Sequence, residues 1–291
     1  MFPFNNVLII LSDRSYMRRS LRICRLAACA LALSLLPPLL AQSVSSTPRA
    51  NPGRPTVSTP ATLTPVGYLQ FENGGLYAAG TPGLAAQTSL NQVTKLAVAP
   101  RLQLLSSWEP WARSSFSNGL APNQPGGISV GAQAVAFAGS GKKPTVSASY
   151  FHSIYDGKTP SLDVGSPFQT GILLFSFDFG AIHVDTNGLV SELTGNGIRR
   201  AQFGQTLSVS RGFGKYTVSG ELWHFSQPFQ NGHCAGNLWA LSYALKPNLV
   251  LDAGFSRGLT STSTSWETFV GFTYLLPHRL WPARAAKATH R

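Results

Sequence analysis

The sequence predicts an all-β protein, an antiparallel up-and-down transmembrane β-barrel of about twelve strands. Three observations predict it: charge is scarce, short stretches alternate apolar and polar residues, and the connections between them alternate short and long. Charged residues are 12% of the 291, about half the ~25% of soluble domains. Gly (28), Ser, Thr and aromatics, among them 17 Phe, take their place. That mixture suits many short strands joined by Gly-rich turns.

The alternation is clearest where Leu249, Leu251, Ala253 and Phe255 share one face and Asp252, Gly254 and Ser256 the other. Tyr216, Val218 and Leu222 likewise oppose Thr217, Ser219 and Glu221, and Trp239, Leu241, Tyr243 and Leu245 alternate with Ala240, Ser242 and Ala244. Val270, Phe272 and Tyr274 alternate with Phe269, Gly271 and Thr273. One apolar face and one polar or small face define a half-buried strand. The pattern places strands near 66–78, 90–98, 101–108, 128–138, 144–153, 169–178, 181–189, 202–211, 215–225, 236–245, 248–257 and 265–276.

Between them, short turns fall at 99–100, 139–143, 179–180, 212–214 and 246–247. Longer loops fall at 79–89, 109–127, 154–168, 190–201, 226–235 and 258–264. Short periplasmic turns alternating with long extracellular loops are the mark of an outer-membrane barrel, and an even strand number puts both barrel ends in the periplasm. Such a barrel satisfies every backbone group and crosses lipid without helices. Tyr68, Trp108, Phe151, Phe179, Phe213, Trp223 and Tyr274 lie near strand ends, where interfacial aromatic girdles are expected. A secreted β-sandwich with those aromatics in its core is the competing architecture.

Residues 1–41 read as a signal peptide, with Met17 as an alternative start. Arg18, Arg19, Arg22 and Arg25 precede the apolar run Leu26–Leu36, and Ala41 offers a small cleavage residue. The run is shorter than the ~20 residues of a membrane helix. Leu26-Ala27-Ala28-Cys29 resembles a lipoprotein box, but the apolar run continues after the Cys instead of preceding it. Loss of this segment, with five basic residues and one acid, leaves 18 basic and 10 acidic residues and takes the net charge from +12 to +8. It also leaves Cys234 alone, with no disulfide partner and no Cys-based metal spacing. Residues 42–64, rich in Ser, Thr and Pro, are expected to be a flexible periplasmic segment. Residues 65–276 form the barrel and 277–291 a basic periplasmic tail.

A charge facing lipid at mid-membrane costs ~2–4 kcal/mol, so polar and charged strand residues should face the lumen. By alternation these are Gln70, Glu72, Lys95, Arg101, Gln103, Asp178, His183, Asp185, Glu221 and Asp252. They would line a pore or fill a closed lumen with a paired network. His183 and Asp185 share a face without an evident third ligand, so neither a metal nor a cofactor is expected. His224 and Ser226 have the spacing of a nucleophile–base pair. Outer-membrane phospholipases follow such a pair with Asn-Gly, whereas Gln227-Pro228 follows here. No G-x-S-x-G elbow, H-E-x-x-H helix or phosphate loop occurs. The basic residues form no helix or aromatic-basic sheet motif, so nucleic acid is not an expected partner. Outer-membrane lipid, the barrel-assembly machinery and a small molecule of unknown identity are.

Arg54-Pro-Thr-Val-Ser-Thr-Pro followed by Pro65-Val-Gly-Tyr-Leu-Gln-Phe-Glu-Asn-Gly resembles the N-terminal signature of the phenol-degradation meta-pathway family of outer-membrane proteins, "RPT…P" then "G-x-x-Q-x-E-x-G". Leu245-Lys-Pro-Asn-Leu-Val-Leu-Asp-Ala-Gly-Phe-Ser-Arg-Gly-Leu-Thr is similar to that family's penultimate hairpin. The chain departs from the family at its second and third strands, where Lys95-Leu-Ala-Val-Ala-Pro-Arg101-Leu-Gln-Leu replaces the charged "L-R-Y-G-x-x-D-x-x-E" hairpin, and in carrying a tail after Leu276. The resemblance implies a barrel that moves hydrophobic or aromatic compounds. The expected function is thus a porin-like outer-membrane channel or transporter for small hydrophobic or aromatic molecules, not an enzyme. The alternatives are a structural or surface-interaction barrel with a closed lumen, and a membrane-embedded hydrolase.

Overall fold

A computed structural model describes residues 48–116, 119–120, 122–163, 165, 167–195, 197–230 and 232–281. The expected signal peptide, residues 42–47 and the tail beyond 281 lie outside these. The strands are β1 (Leu69–Thr81), β2 (Leu84–Ala99), β3 (Leu102–Phe116), β4 (Gly119–Leu120), β5 (Ile128–Phe137), β6 (Thr145–Tyr155), β7 (Pro167–Phe179), β8 (Ile182–Gly195), β9 (Ile198–Phe213), β10 (Tyr216–Ser226), β11 (His233–Lys246), β12 (Leu249–Gly258) and β13 (Trp266–Leu275). All pairings are antiparallel between neighbours, and β1 pairs with β13 from Gln70↔Leu275 to Ala79↔Trp266. The sheet therefore closes on itself. β4 is a two-residue strand folded back on the outer end of β3, so the wall has twelve staves.

Every stave that the alternation placed is present, with the faces it assigned. Leu222 (58% exposed), Trp239 (53%), Leu173 (56%) and Val270 (63%) cover the outside. Gln70, Gln103, Gln133, Gln202 and Thr273 are buried on the inside. Apolar-out and polar-in is stable only against lipid, where the belt is solvated by acyl chains and the backbone is satisfied by the closed ladder.

Five staves run well past their expected ends. Instead of a loop at 79–89, β1 and β2 turn at Pro82-Gly83, where Gly83 takes φ 83°; β8 and β9 stay paired out to Gly195↔Ile198 in place of a loop at 190–201. β3 likewise continues to Phe116. The added residues include Gln87, Thr88, Arg113, Glu192, Arg199 and Arg200. They stand beyond the apolar belt, where the ladder continues but no lipid demands an apolar face. Arg101 lies in the β2–β3 turn and not on a stave as expected. Trp223 and Phe151 face inward, not toward an interface; Trp108, Phe179 and Phe213 are exposed on the outside.

The 42–64 segment is corrected over its described part. Residues 50–64 lie inside the barrel, with no strand or helix of their own. Barrel size explains why something must. Twelve strands ~4.8 Å apart and tilted ~40° give a wall-to-wall backbone distance of about 24 Å. Sheets pack at ~10 Å, so opposite walls cannot meet, and one further layer of chain fits between them. At the barrel foot, Leu280 N–H donates to Gly67 O (2.9 Å) and Arg279 lies over Tyr68 (5.6 Å), folding the tail's first residues onto the start of β1.

Candidate functional site: a filled lumen and an outer chamber

The N-terminal segment is held by side chains of the wall, nearly one stave at a time. Asn51 exchanges hydrogen bonds with the Gln70 amide of β1 (2.8 and 2.7 Å), and Gly53 N–H donates to Glu72 Oε1 (2.9 Å). Arg54 forks onto Asp252 of β12 (3.0 and 3.3 Å). Glu221 of β10 accepts from Val57 N–H (2.7 Å), Ser58 N–H (2.6 Å) and Ser58 Oγ (2.6 Å). Asn187 of β8 exchanges two bonds with Thr59 (2.6 and 2.9 Å), and Ser176 Oγ of β7 accepts from Ala61 N–H (2.7 Å). Ser147 of β6 and Gln133 of β5 donate to Ala61 O, and Gln103 Oε1 of β3 accepts from both Thr64 N–H and Thr64 Oγ1 (2.8 Å each). The chain thus circles the inner wall against the order of the staves. Buried backbone groups need partners, and here wall side chains supply what a sheet ladder would.

Of the ten expected lumen residues, Gln70, Glu72, Gln103, Glu221 and Asp252 bind this segment directly. Lys95 joins through its ion pair with Glu72 (2.6 Å), both side chains being at most 6% exposed. Asp178, His183 and Asp185 form a separate cluster near the β7–β8 turn. There His183 Nδ1 lies 2.6 Å from Asp178 and Nε2 3.2 Å from Asp185. Asp178 is 53% exposed and stands at the rim, whereas Asp185, 13% exposed, also accepts from Ser176 Oγ, the hydroxyl that holds Ala61. Among the described residues no three His, Cys, Asp or Glu side chains could hold one metal ion.

His224 and Ser226 do not pair. The His224 ring stacks on His233 at 5.1 Å, and Ser226 Oγ accepts from Phe203 N–H (2.9 Å).

Above the segment, on the long-loop side, lies a chamber of about 420 Å³. Val57 forms its floor, Leu76, Trp223 and Phe225 its apolar side, and Pro160 and Leu162 its roof. The rings fit because Gly236 and Gly204 face them: a Cβ there would come within 2.2 Å of Trp223 and 2.5 Å of Phe225. The roof is the loop between β6 and β7, folded inward. Asp163 O accepts from Gln227 Nε2 (3.0 Å) and Cys234 Sγ (3.4 Å), and its carboxylate from Thr264 N–H (2.7 Å) and Thr264 Oγ1 (3.2 Å). Burial pushes the Asp163 carboxyl above its usual 3.8, and the Thr264 bonds only partly offset this. Glu109, Asp156 and Glu267 also line the chamber.

None of these acids was among the residues singled out from sequence. Glu267 could have been, since it shares the inward face of Phe269, Gly271 and Thr273. Glu109 fell within a presumed loop, and nothing in the sequence around Asp163 marks an inward fold.

No protein-family model matches the chain, and no curated protein does. Among solved structures the barrel is similar to an outer-membrane channel from Pseudomonas putida F1, at 13% identity and a TM-score of 0.57, over 78% of this chain and 99% of that one. It is also similar to the NanC porin, at 10% identity and a TM-score of 0.52, over 71% of this chain and all of that one. At such identities the likeness is one of fold, and that fold is the outer-membrane β-barrel.

Proposed function

We propose that the protein is an outer-membrane channel or transporter for small molecules with an apolar or aromatic part. The observation that carries this is the outer chamber, a cavity with one apolar, aromatic side in an otherwise polar lining, placed where a molecule arriving from outside would lodge before the N-terminal segment. Its volume lies within the ~300–1,000 Å³ of small-molecule sites. The two fold relatives are a channel and a porin by description, which favours passage over catalysis. The motifs at 54–74 and 245–260 support kinship with the phenol-degradation meta-pathway family, whose suggested cargo is of the same kind. Export by the 1–41 signal and insertion by the barrel-assembly machinery complete the reading.

In this structure the lumen is filled at the level of Glu221, so passage requires residues 50–64 to shift. A second reading follows from that ring of bonds: a closed barrel with a structural role. Single-channel recording of refolded residues 42–291, with swelling of vesicles in small aromatic solutes, tests both. Conductance steps and solute entry support the channel. A silent bilayer with the barrel demonstrably inserted supports the closed one.

A further inference from the structure

The charged groups lining the outer chamber are all acidic. Glu109, Asp156, Asp163 and Glu267 contribute, and among the described residues no Lys, Arg or His lines it. A buried carboxylate without a counter-charge is costly to keep ionised. Three of the four have local partners: Asp163 accepts from Thr264, Asp156 Oδ1 accepts from Ser153 Oγ (2.9 Å), and Glu109 lies in hydrogen-bond reach of the Ser89 and Thr159 hydroxyls. Glu267 receives no hydrogen bond or ion pair from any described residue.

A second, independent observation also asks for a donor. Gln87 lines the same chamber, is 97% buried, and its Oε1 has no hydrogen-bond partner among the described residues. A buried acceptor left open is uncommon and calls for an explanation. The third component is aromatic. Trp223 and Phe225 are 5% and 1% exposed, with centroids 5.8 Å apart. Aromatic faces attract cations, most strongly where water is excluded.

An acidic lining without bases, an open amide acceptor and two buried rings share one complement, a positively charged group that only donates, carried on an apolar body. An ammonium has that character. A bare metal ion does not suit the site, because no three of these groups converge on one point. A carboxylate ligand would add a negative charge to four.

We propose that the outer chamber binds small organic amines, an ammonium carried on an aromatic or alkyl body. The chamber's selectivity is therefore for cationic over anionic aromatics. This rests on reading the barrel as an uptake channel, and the test separates the two.

Three probes share one ring and differ at one end: 2-phenylethylamine, 2-phenylethanol and phenylacetate. Calorimetric titration of the refolded mature protein in detergent at neutral pH should show the amine binding about tenfold more tightly than the alcohol, the carboxylate weakest. Glu267→Gln, which keeps shape, and Gln87→Leu should each weaken the amine several-fold and leave the alcohol nearly unchanged. Equal or stronger binding of phenylacetate, no binding of any probe, or amine affinity indifferent to Glu267→Gln overturns the proposal. Uptake of the same probes into proteoliposomes addresses the channel separately. Uptake without preference for the amine keeps the channel and removes the amine site. Amine binding without uptake of any probe keeps the site and removes the channel.

Discussion

Lys95→Met measures how dry the lumen is where the N-terminal segment sits. In the structure the Lys95–Glu72 pair is enclosed, its side chains 6% and 3% exposed, and Gly53 lies against it. Breaking a buried pair from one side costs ~3–5 kcal/mol, because the remaining charge is stranded. Glu72 would keep its bonds from Gly53 N–H and Gln70 Nε2 (both 2.9 Å), which argues for the low end, ~3 kcal/mol. At ~1.4 kcal/mol per decade that is over a hundredfold in the folding equilibrium. Glu72→Gln on top removes the stranded charge, so the double variant should recover to within ~1 kcal/mol of the parent. The assay is urea unfolding from phospholipid vesicles, read by the gel-mobility difference between folded and unfolded barrel, for the parent, both singles and the double. If the segment were undocked and water reached the pair, it would behave as a surface bridge worth ~0–1 kcal/mol. A Lys95→Met cost under ~1 kcal/mol with no recovery in the double would refute the docked, dry lumen.

Deleting residues 48–63 removes every hydrogen bond that the segment makes up to Ala61, and single-channel conductance should then rise at least several-fold over the parent; an unchanged conductance would mean that the segment is not the obstruction. On the outer face, Leu222→Lys at the middle of β10 should cost ~2–4 kcal/mol in vesicle unfolding. Ile182→Lys, at the first residue of β8, should cost ~0–1 kcal/mol; equal costs would contradict the membrane placement. Cys234 is fully buried beneath Asp163, so a maleimide should label it slowly in the folded barrel and rapidly in urea. Fast labelling of folded protein would mean that the β6–β7 loop stands open.

The wall was legible in the sequence because lipid imposes a rule on each residue separately. Leu249, Leu251 and Phe255 must be apolar whatever their neighbours do, so period two survives to be read in a single strand. The rule stops where the lipid stops. β2 before Leu90 and β8 after Leu189 continue as sheet, but Gln87 faces the outer chamber and Glu192 answers to Gln169 and Arg199 on its neighbouring staves. Alternation fades there although the ladder does not. The tight turn at Pro82-Gly83 and the outer ladder up to Gly195↔Ile198 therefore read as loop.

The contents of the barrel follow a different logic, and it explains why Arg54–Thr64 passed for a flexible segment. A strand's partners are other backbones, whose pattern is regular and close in sequence. The partners of this segment are side chains spread from Gln70 to Asp252, up to 198 residues away. Ser, Thr and Pro without periodicity are compatible with disorder, and equally with a chain whose amides are met by side chains of many different staves. Composition of the segment alone does not distinguish the two. What was readable was the complement. A twelve-stave lumen is too wide for its wall side chains to meet, yet Glu72, Lys95, Glu221 and Asp252 point into it, and at least Glu221 has no basic partner on a neighbouring stave. Buried charges in such numbers need a counterpart inside, either water along an open pore or protein. Arg54, with backbone N–H groups from Gly53, Val57 and Ser58, is that counterpart. The same reasoning applied one level higher, to Glu267 and Gln87, finds no group of the described residues in that place.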